Sequence, residues 1–508
     1  MTVPMHAQAA RWLLPAVRAE ECSALAAALG VSGLVARILA RRGMLRVEEA
    51  REFLAPDLRL LHAPGLMKGM EAAVRRLMGA IERREKILLY GDYDVDGTSS
   101  VVILKKALEL CGASADYHVP HRLKDGYGMR PEVIEQAASI GTQLIVSVDT
   151  GIRAVDVVEQ ARELGIDVII TDHHLPEEAL PPALAVLNPN QPGCGYPEKN
   201  LCGAGVAFKL VQGLIAALRM PEARVRRLTE SFLKLVAIAT VADVVPLTGE
   251  NRVIVKHGLN GLSRTSNPGL RALLSVAGFE PGSAVTAGQV AFRVAPRMNA
   301  AGRMASARDV IELFMTEDEG EARRLAAGMH ELNQDRQQTE SEMVERILQQ
   351  CVEQPVTDAM AALVFAGEGW HRGVVGIVAS RIVERFHRPV FVLGIDAETA
   401  LAQGSGRSIP AFHLLEALES MGELFTKFGG HRQAAGLTVG AGDVDEFRRR
   451  LNAYAVERLA PSDFVAQLEI DAEVRLSELT GVAVAEVLGL GPFGYGNPAP
   501  MVMARGVR

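Results

Sequence analysis

Carboxylates and imidazoles collect at the ends of short apolar runs in this chain, and hard divalent cations are the partners such clusters suit. After Lys86-Ile87-Leu88-Leu89-Tyr90 the sequence reads Gly91-Asp92-Tyr93-Asp94-Val95-Asp96-Gly97, then Thr98-Ser99-Ser100. Aspartates at alternate positions repel one another unless positive charge lies between them, and divalent ions take oxygen ligands. The run Gln143–Val148 ends in Asp149-Thr150-Gly151, and Asp167–Thr171 ends in Asp172-His173-His174. Asp243 follows the apolar stretch Phe232–Val241. Each has a plainer reading in isolation, since Asp, Ser and Thr cap helices and a histidine can sit in a core. Gathered on one edge without compensation, these acids would repel one another and destabilise the fold. A centre for two divalent ions is therefore the expectation.

The elements that must position them are legible as a pattern. Short apolar runs bounded by glycine read as buried parallel strands, here Lys86–Tyr90, Ala115–Val119, Leu144–Val148, Val168–Thr171 and Leu184–Leu187. Helical spacing falls between or after them, at Ser99–Leu110, Ala154–Leu164 and Gly205–Leu218. Strands alternating with helices predict an α/β fold, a doubly wound parallel sheet. In such sheets ligands bind at the carboxyl ends of the strands. Every acid named above sits at such an end or just after a helix.

The remainder divides into further candidate domains. Residues 1–65 read as short helices whose basic flank, Arg37, Arg41, Arg42 and Arg46, is expected to be a solvated face. Residues 66–315 hold the doubly wound domain. Within it, Pro120-His121-Arg122-Leu123-Lys124-Asp125-Gly126-Tyr127-Gly128 is either a phosphate-holding segment or a turn. Phe292–Arg308 carries Arg293, Arg297, Arg303 and Arg308 without an acid, which favours phosphate contact. A long charged helix over 316–354 joins this domain to a smaller α/β domain at 355–458. There Gly369–Gly373, Gly404–Ser408 and Phe428–Arg432 combine glycine with Arg or His, the composition of anion-holding loops. Residues 459–508, with an alternating stretch at Gln467–Val474 and a turn-rich Gly491–Pro498, read as the start of a truncated β-rich, OB-like domain.

Composition bounds the function classes. The 508 residues, 48% apolar and 23% charged, fit about three domains of about 100–200 residues. No apolar run approaches the roughly 18 residues a membrane span needs, and Met1–Glu20 lacks the features of a signal peptide. The five cysteines are scattered with no C-x-x-C pair, which argues against a zinc site or disulfide framework and for a reduced, cytoplasmic chain. A net charge of −7 speaks at face value against nucleic-acid binding. Aspartates gathered around metal ions would be neutralised locally, so the placement of arginine carries more weight.

Asp94-Val95-Asp96-Gly97, Asp149, Asp172-His173-His174 and Asp243 resemble the four signature motifs of the DHH phosphoesterase superfamily. The segments 369–373, 404–408 and 428–436 are similar to its DHH-associated domain. Ala295-Pro296-Arg297-Met298-Asn299-Ala300-Ala301-Gly302-Arg303-Met304 and the closing Gly-Tyr-Gly-Asn-Pro resemble the branch that degrades single-stranded DNA. The resemblance implies two ions, Mn2+ or Mg2+, bridged by Asp149, with Asp92 and Asp94 on one and Asp96, His173 and Asp243 on the other. It implies that His174 faces the substrate phosphate and that Asp172 orients the imidazoles. Arg122, Ser405 and Arg407 are similar to a clamp for a terminal 5′-phosphate, and Asn299, Arg303 and His431 to residues near the scissile phosphate. The activity implied is 5′→3′ release of mononucleotides from single-stranded DNA in repair and recombination. The implied setting is a cytoplasmic monomer, working with single-strand-binding protein and a helicase and without a membrane. A small-substrate phosphoesterase or a non-catalytic replication scaffold are the alternatives.

Overall fold

The computed structural model describes residues 10–14, 16–122, 125–126 and 128–507. Leu123, Lys124 and Tyr127 of the segment singled out above lie outside the described residues. The chain forms two compact units, a larger one of residues 15–333 and 471–508 and a smaller one of residues 1–14 and 334–470.

The larger unit is built on a five-stranded sheet. Its strands are β1 (Ile87–Tyr90), β2 (Ala115–His118), β3 (Leu144–Val148), β4 (Asp167–Thr171) and β5 (Ala185–Leu187), in the order β2-β1-β3-β4-β5. All neighbours are parallel. Successive residues point to opposite faces, so Ile87 and Leu89 join one core while Leu88 and Tyr90 join another. Both faces are therefore covered, as expected for a doubly wound sheet, and each fully buried Leu or Ile contributes about 1.5–3 kcal/mol relative to exposure. On the first face lie α1 (Val95–Leu110), α2 (Gly203–Ala217) and α3 (Glu222–Ala242). Helix α1 begins four residues before the predicted Ser99 and α2 two before Gly205. That difference places Asp96 on a helix rather than in a loop.

One buried ion pair locks α2 to the helix after α3, Gly249–Leu262. Lys209 Nζ lies 2.5 Å from Glu250 Oε1, both side chains 0% exposed. Tyr196 Oη donates to Glu250 Oε2 at 2.6 Å, and Lys209 also donates to the His62 carbonyl at 3.0 Å.

The helices Ala19–Leu29, Gly33–Arg41 and Val47–Leu54 share a core with Ala472, Val474 and Leu490. The basic flank expected to be solvated is in part an internal contact. Arg37 pairs with Glu478 at 2.8 Å and Arg42 with Asp471 at 3.1 Å. The OB-like detail is not confirmed. Gln467–Glu469 pairs in parallel with Arg11–Leu13, and Ala472–Glu473 pairs with Val502–Met503; among the described residues these segments close no barrel.

A 35-residue helix, α4 (Glu319–Glu353), begins in the larger unit and ends in the smaller. The smaller unit carries a mixed sheet of β6 (Leu363–Glu368), β7 (Val390–Asp396), β8 (Leu401–Arg407), β9 (Phe425–Gly430) and β10 (Ala434–Gly440), in the order β9-β10-β8-β7-β6. Gly404-Ser405-Gly406-Arg407 is a central strand rather than a loop. Its glycines answer to packing: a Cβ at Gly404 would meet the Val392 carbonyl oxygen at 1.9 Å, and one at Gly406 the Phe391 ring at 2.5 Å.

Candidate metal centre

The strand order reverses between β1 and β3, the position where sheets of this kind bind ligands at the carboxyl ends of their strands. Each strand end is held one residue further by its neighbour. The amide of Gly91 donates to the His118 carbonyl at 2.9 Å, that of Asp149 to Thr171 at 2.9 Å, and that of Asp172 to Leu187 at 3.0 Å. Asp94 caps α1, its carboxylate accepting from the amides of Asp96 at 2.9 Å and Gly97 at 3.0 Å. From the first turn of α1, Asp96 reaches the start of α2, where its oxygens accept from the amides of Gly203 at 2.5 Å and Ala204 at 2.7 Å. A helix N-terminus carries positive partial charge, so this carboxylate is oriented and partly neutralised.

His173 is the meeting point. Its Nε2 lies 3.2 Å from Asp149 Oδ1 and 3.8 Å from both Asp96 Oδ2 and Asp243 Oδ2. Asp92, Asp94 and Asp149 form one group whose ligand atoms all lie within 4.8 Å of one another; Asp96, His173 and Asp243 form a second, and Asp149, His173 and His174 a third. Asp172 stands behind the imidazoles. Its Oδ1 accepts from the amides of His173 at 2.7 Å and His174 at 3.1 Å and lies 2.7 Å from His174 Nδ1; its Oδ2 accepts from Ile152.

Burial, then the neighbouring Asp94, pushes the Asp92 carboxyl up to about 8. Burial and Asp96 push Asp243 up to about 9 and hold Asp149 well above the usual carboxylate range. Asp96 is raised by burial, against the pull of His173. Asp172 goes the other way: burial alone would raise it, but the hydrogen bond and charge of His174 bring it below its ordinary value. Burial lowers His173; it also opposes His174, but the bond to Asp172 together with the charges of Asp172, Asp96 and Asp92 raises that imidazole above its ordinary value.

The residues fit divalent ions. Oδ1 of Asp92 and of Asp149 are buried without a hydrogen-bond partner, a costly arrangement unless a cation takes the lone pairs. Asp149 also adopts φ +59° and Val244, next to Asp243, φ +58°. Backbone of this kind costs about 1–3 kcal/mol per residue and collects at functional sites.

Of the remaining predicted residues, Arg122 stacks over the Tyr93 ring at 5.0 Å, beside Asp92. Asn299 and Arg303 lie on α-helix Ala295–Met304, which touches the same loop: a Cβ at Gly302 would stand 2.4 Å from the Tyr93 carbonyl oxygen. The arginine run itself divides. Arg293 donates to the carbonyls of Ala277 and Gly278 and stacks on Phe279, Arg297 bonds the Arg293 carbonyl, and Arg308 pairs with Glu312, so these three serve the fold. Ser405, Arg407 and His431 belong to the smaller unit. Ser405 and Arg407 share one face of β8, under Gly376 of the helix Val375–Phe386, and the His431 amide donates to Ala434. Sequence reasoning missed Asn188 and Asn190, whose side chains donate to the carbonyls of His174 and His173 at 2.8 Å each. The Asn188-Pro189-Asn190 turn was their only signal.

Residues 86–240 match the DHH family N-terminal domain, and residues 358–457 match the DHHA1 domain. The single-stranded-DNA-specific exonuclease RecJ of Escherichia coli (strain K12) is 39% identical over 483 residues, 92% of this chain and 82% of that protein. The chain belongs to the RecJ family. RecJ of Bacillus subtilis (strain 168) is 42% identical over 499 residues, 98% of this chain, which spans 62% of that relative's length. The crystal structure of RecJ in complex with Mn2+ from Thermus thermophilus matches with a TM-score of 0.84 at 32% identity, over 97% of this chain and 69% of that one. Its counterpart with Mg2+ gives 0.76. Asp92 through His174 fall inside the DHH match, and Asp243 lies just past its end.

Proposed function

We propose that this chain is a 5′→3′ exonuclease that degrades single-stranded DNA to 5′-mononucleotides by two-metal hydrolysis, in repair and recombination. The observation that carries it is the convergence of ligand atoms from four separate stretches of chain at one sheet edge, with Asp149 common to two of the groups. Asp92 and Asp94 would hold one ion and Asp96, His173 and Asp243 the other, and Asp149 would serve both. Mn2+ or Mg2+, when bound, supplies a water of lowered pKa and offsets charge at phosphorus. Asp172 fixes the His174 ring toward the substrate phosphate. Arg122, Asn299 and Arg303 contact phosphates from the larger unit. Ser405 and Arg407, on one strand of the smaller unit, grip a terminal 5′-phosphate, and His431 binds phosphate.

On the same reading the chain works in the cytoplasm as a monomer, on strands opened by a helicase and coated by single-strand-binding protein. Sedimentation of the chain alone and with each of those proteins tests this. The activity is tested by offering 5′-phosphorylated single strands, duplex, dinucleotides and pyrophosphate with Mn2+, with Asp149→Ala as control. Preferential loss of the single strand is expected. Cleavage of the small substrates alone, or of nothing, overturns the reading.

A further inference from the structure

The turn-rich stretch Gly491–Pro498 has no part in the chemistry above, yet it packs against the segment that carries Asp243. Asp243 is the most exposed member of its group, its side chain 25% exposed against 2% for Asp96 and 15% for His173. It ends α3, and Val244 follows in a left-handed conformation that β-branched residues avoid. Such backbone persists only where what comes next is pinned.

The pinning is visible residue by residue. The Leu247 amide donates to the Tyr495 carbonyl at 2.7 Å. A Cβ at Gly494 would sit 2.7 Å from Leu247 Cδ1, and one at Gly496, which has φ +73°, 2.8 Å from Pro246 Cβ. Asn251 Nδ2 donates to the Pro246 carbonyl at 3.2 Å from the other side. The stretch is itself clamped. Asn497, 1% exposed, donates to the carbonyls of Leu490 at 3.0 Å and Pro492 at 2.8 Å. Arg42 donates to Asn497 Oδ1 and, at 2.8 Å, to the Pro498 carbonyl, while Arg252 donates to the Gly491 carbonyl at 3.0 Å.

We propose that Gly491–Pro498, clamped by Asn497 and Arg42, is a positioning element for Asp243 and so sets the affinity of the ion held with Asp96 and His173. This rests on reading Asp243 as a metal ligand. Misplaced outer support of a metal ligand typically costs about 10–100-fold in metal affinity. Coupling between sites is reciprocal, so binding of the ion must in turn steady the stretch.

Two variants, Asn497→Ala and Gly496→Ala, are titrated with Mn2+ and followed by calorimetry and by the electron paramagnetic resonance of free Mn2+. Wild type is expected to bind two ions. Each variant keeps one at wild-type affinity and weakens the other about tenfold or more, and its exonuclease activity recovers at high Mn2+. Arg37→Ala, which removes the pair to Glu478 in the same region, lowers stability and leaves both affinities unchanged. Hydrogen exchange in wild type needs no variant: Mn2+ slows the amides of Leu247 and Asn497. Variants that bind both ions as wild type does, or wild-type exchange indifferent to Mn2+, overturn the proposal. If neither variant folds, the exchange experiment decides. Wild type binding fewer than two ions overturns the two-ion centre itself, and this inference with it.

Discussion

The amide of Gly203 donates to Oδ2 of Asp96 at 2.5 Å although 107 residues separate them in the chain. The same glycine allows α2 to start against the centre, since a Cβ there would stand 2.6 Å from Asp149 Oδ1. Gly203→Ala therefore displaces two carboxylates at once. Mn2+ affinity by calorimetry is expected to fall about 10–100-fold, with the circular dichroism spectrum unchanged. Unchanged affinity would show that the helix start does not aim these acids.

The raised carboxyls make the chelated protein sensitive to base. Asp92 and Asp243 have folded values of about 8 and about 9, and Asp149 is also raised, against about 4 in an unfolded chain. The folded state then binds more protons than the unfolded one, so stability falls as pH rises. In EDTA, the melting temperature should decline from about pH 5, most steeply up to about pH 8, and level off above about pH 9. With Mn2+ present the decline should vanish. A flat profile in EDTA would contradict the shifts.

Gly302 touches the Tyr93 carbonyl and so sets the standoff of the helix bearing Asn299 and Arg303. Gly302→Ala pushes that helix away from the Tyr93 carbonyl and substitutes no residue that would hold a metal. KM for single-stranded DNA should rise about tenfold, in keeping with about 1.5–3 kcal/mol for one charge-assisted hydrogen bond, while Mn2+ binding stays as in wild type. Steady-state kinetics beside a Mn2+ titration would separate the two.

Lys209→Met strands the buried Glu250 carboxylate, whose partners are the Lys209 ammonium, the Tyr196 hydroxyl and the His62 amide. Breaking such a pair on one side costs about 3–5 kcal/mol, read as a lower urea midpoint. Glu250→Gln in the same chain should return much of that loss, because no unpaired charge is then buried.

Much of this was legible because the sheet's chemistry is local. An acid directly after an apolar run is placed by the strand that precedes it, and Asp92, Asp149 and Asp172 could be read that way. What escaped depends on residues distant in the chain. Gly203 looks like any helix-start glycine until Asp96 arrives on it, and Asn190 gains its meaning only from the His173 carbonyl. The glycines of 404–406 read as an anion loop because composition is the same whether glycine admits a ligand or a neighbouring strand. Arg293 and Arg297 read as phosphate contacts because an acid-free run does not reveal carbonyls waiting elsewhere in the fold.

Neither unit is a continuous length of polypeptide, since the path leaves the larger one at Asn333 and returns to it at Asp471. The amide of Ser32 donates to Glu486 Oε2 across 454 residues. A nascent chain released only as far as α4 would thus lack the piece that completes the first-made unit. No single protease cut or truncation can liberate either half intact. Splitting this molecule for separate expression would require circular permutation or a grafted linker.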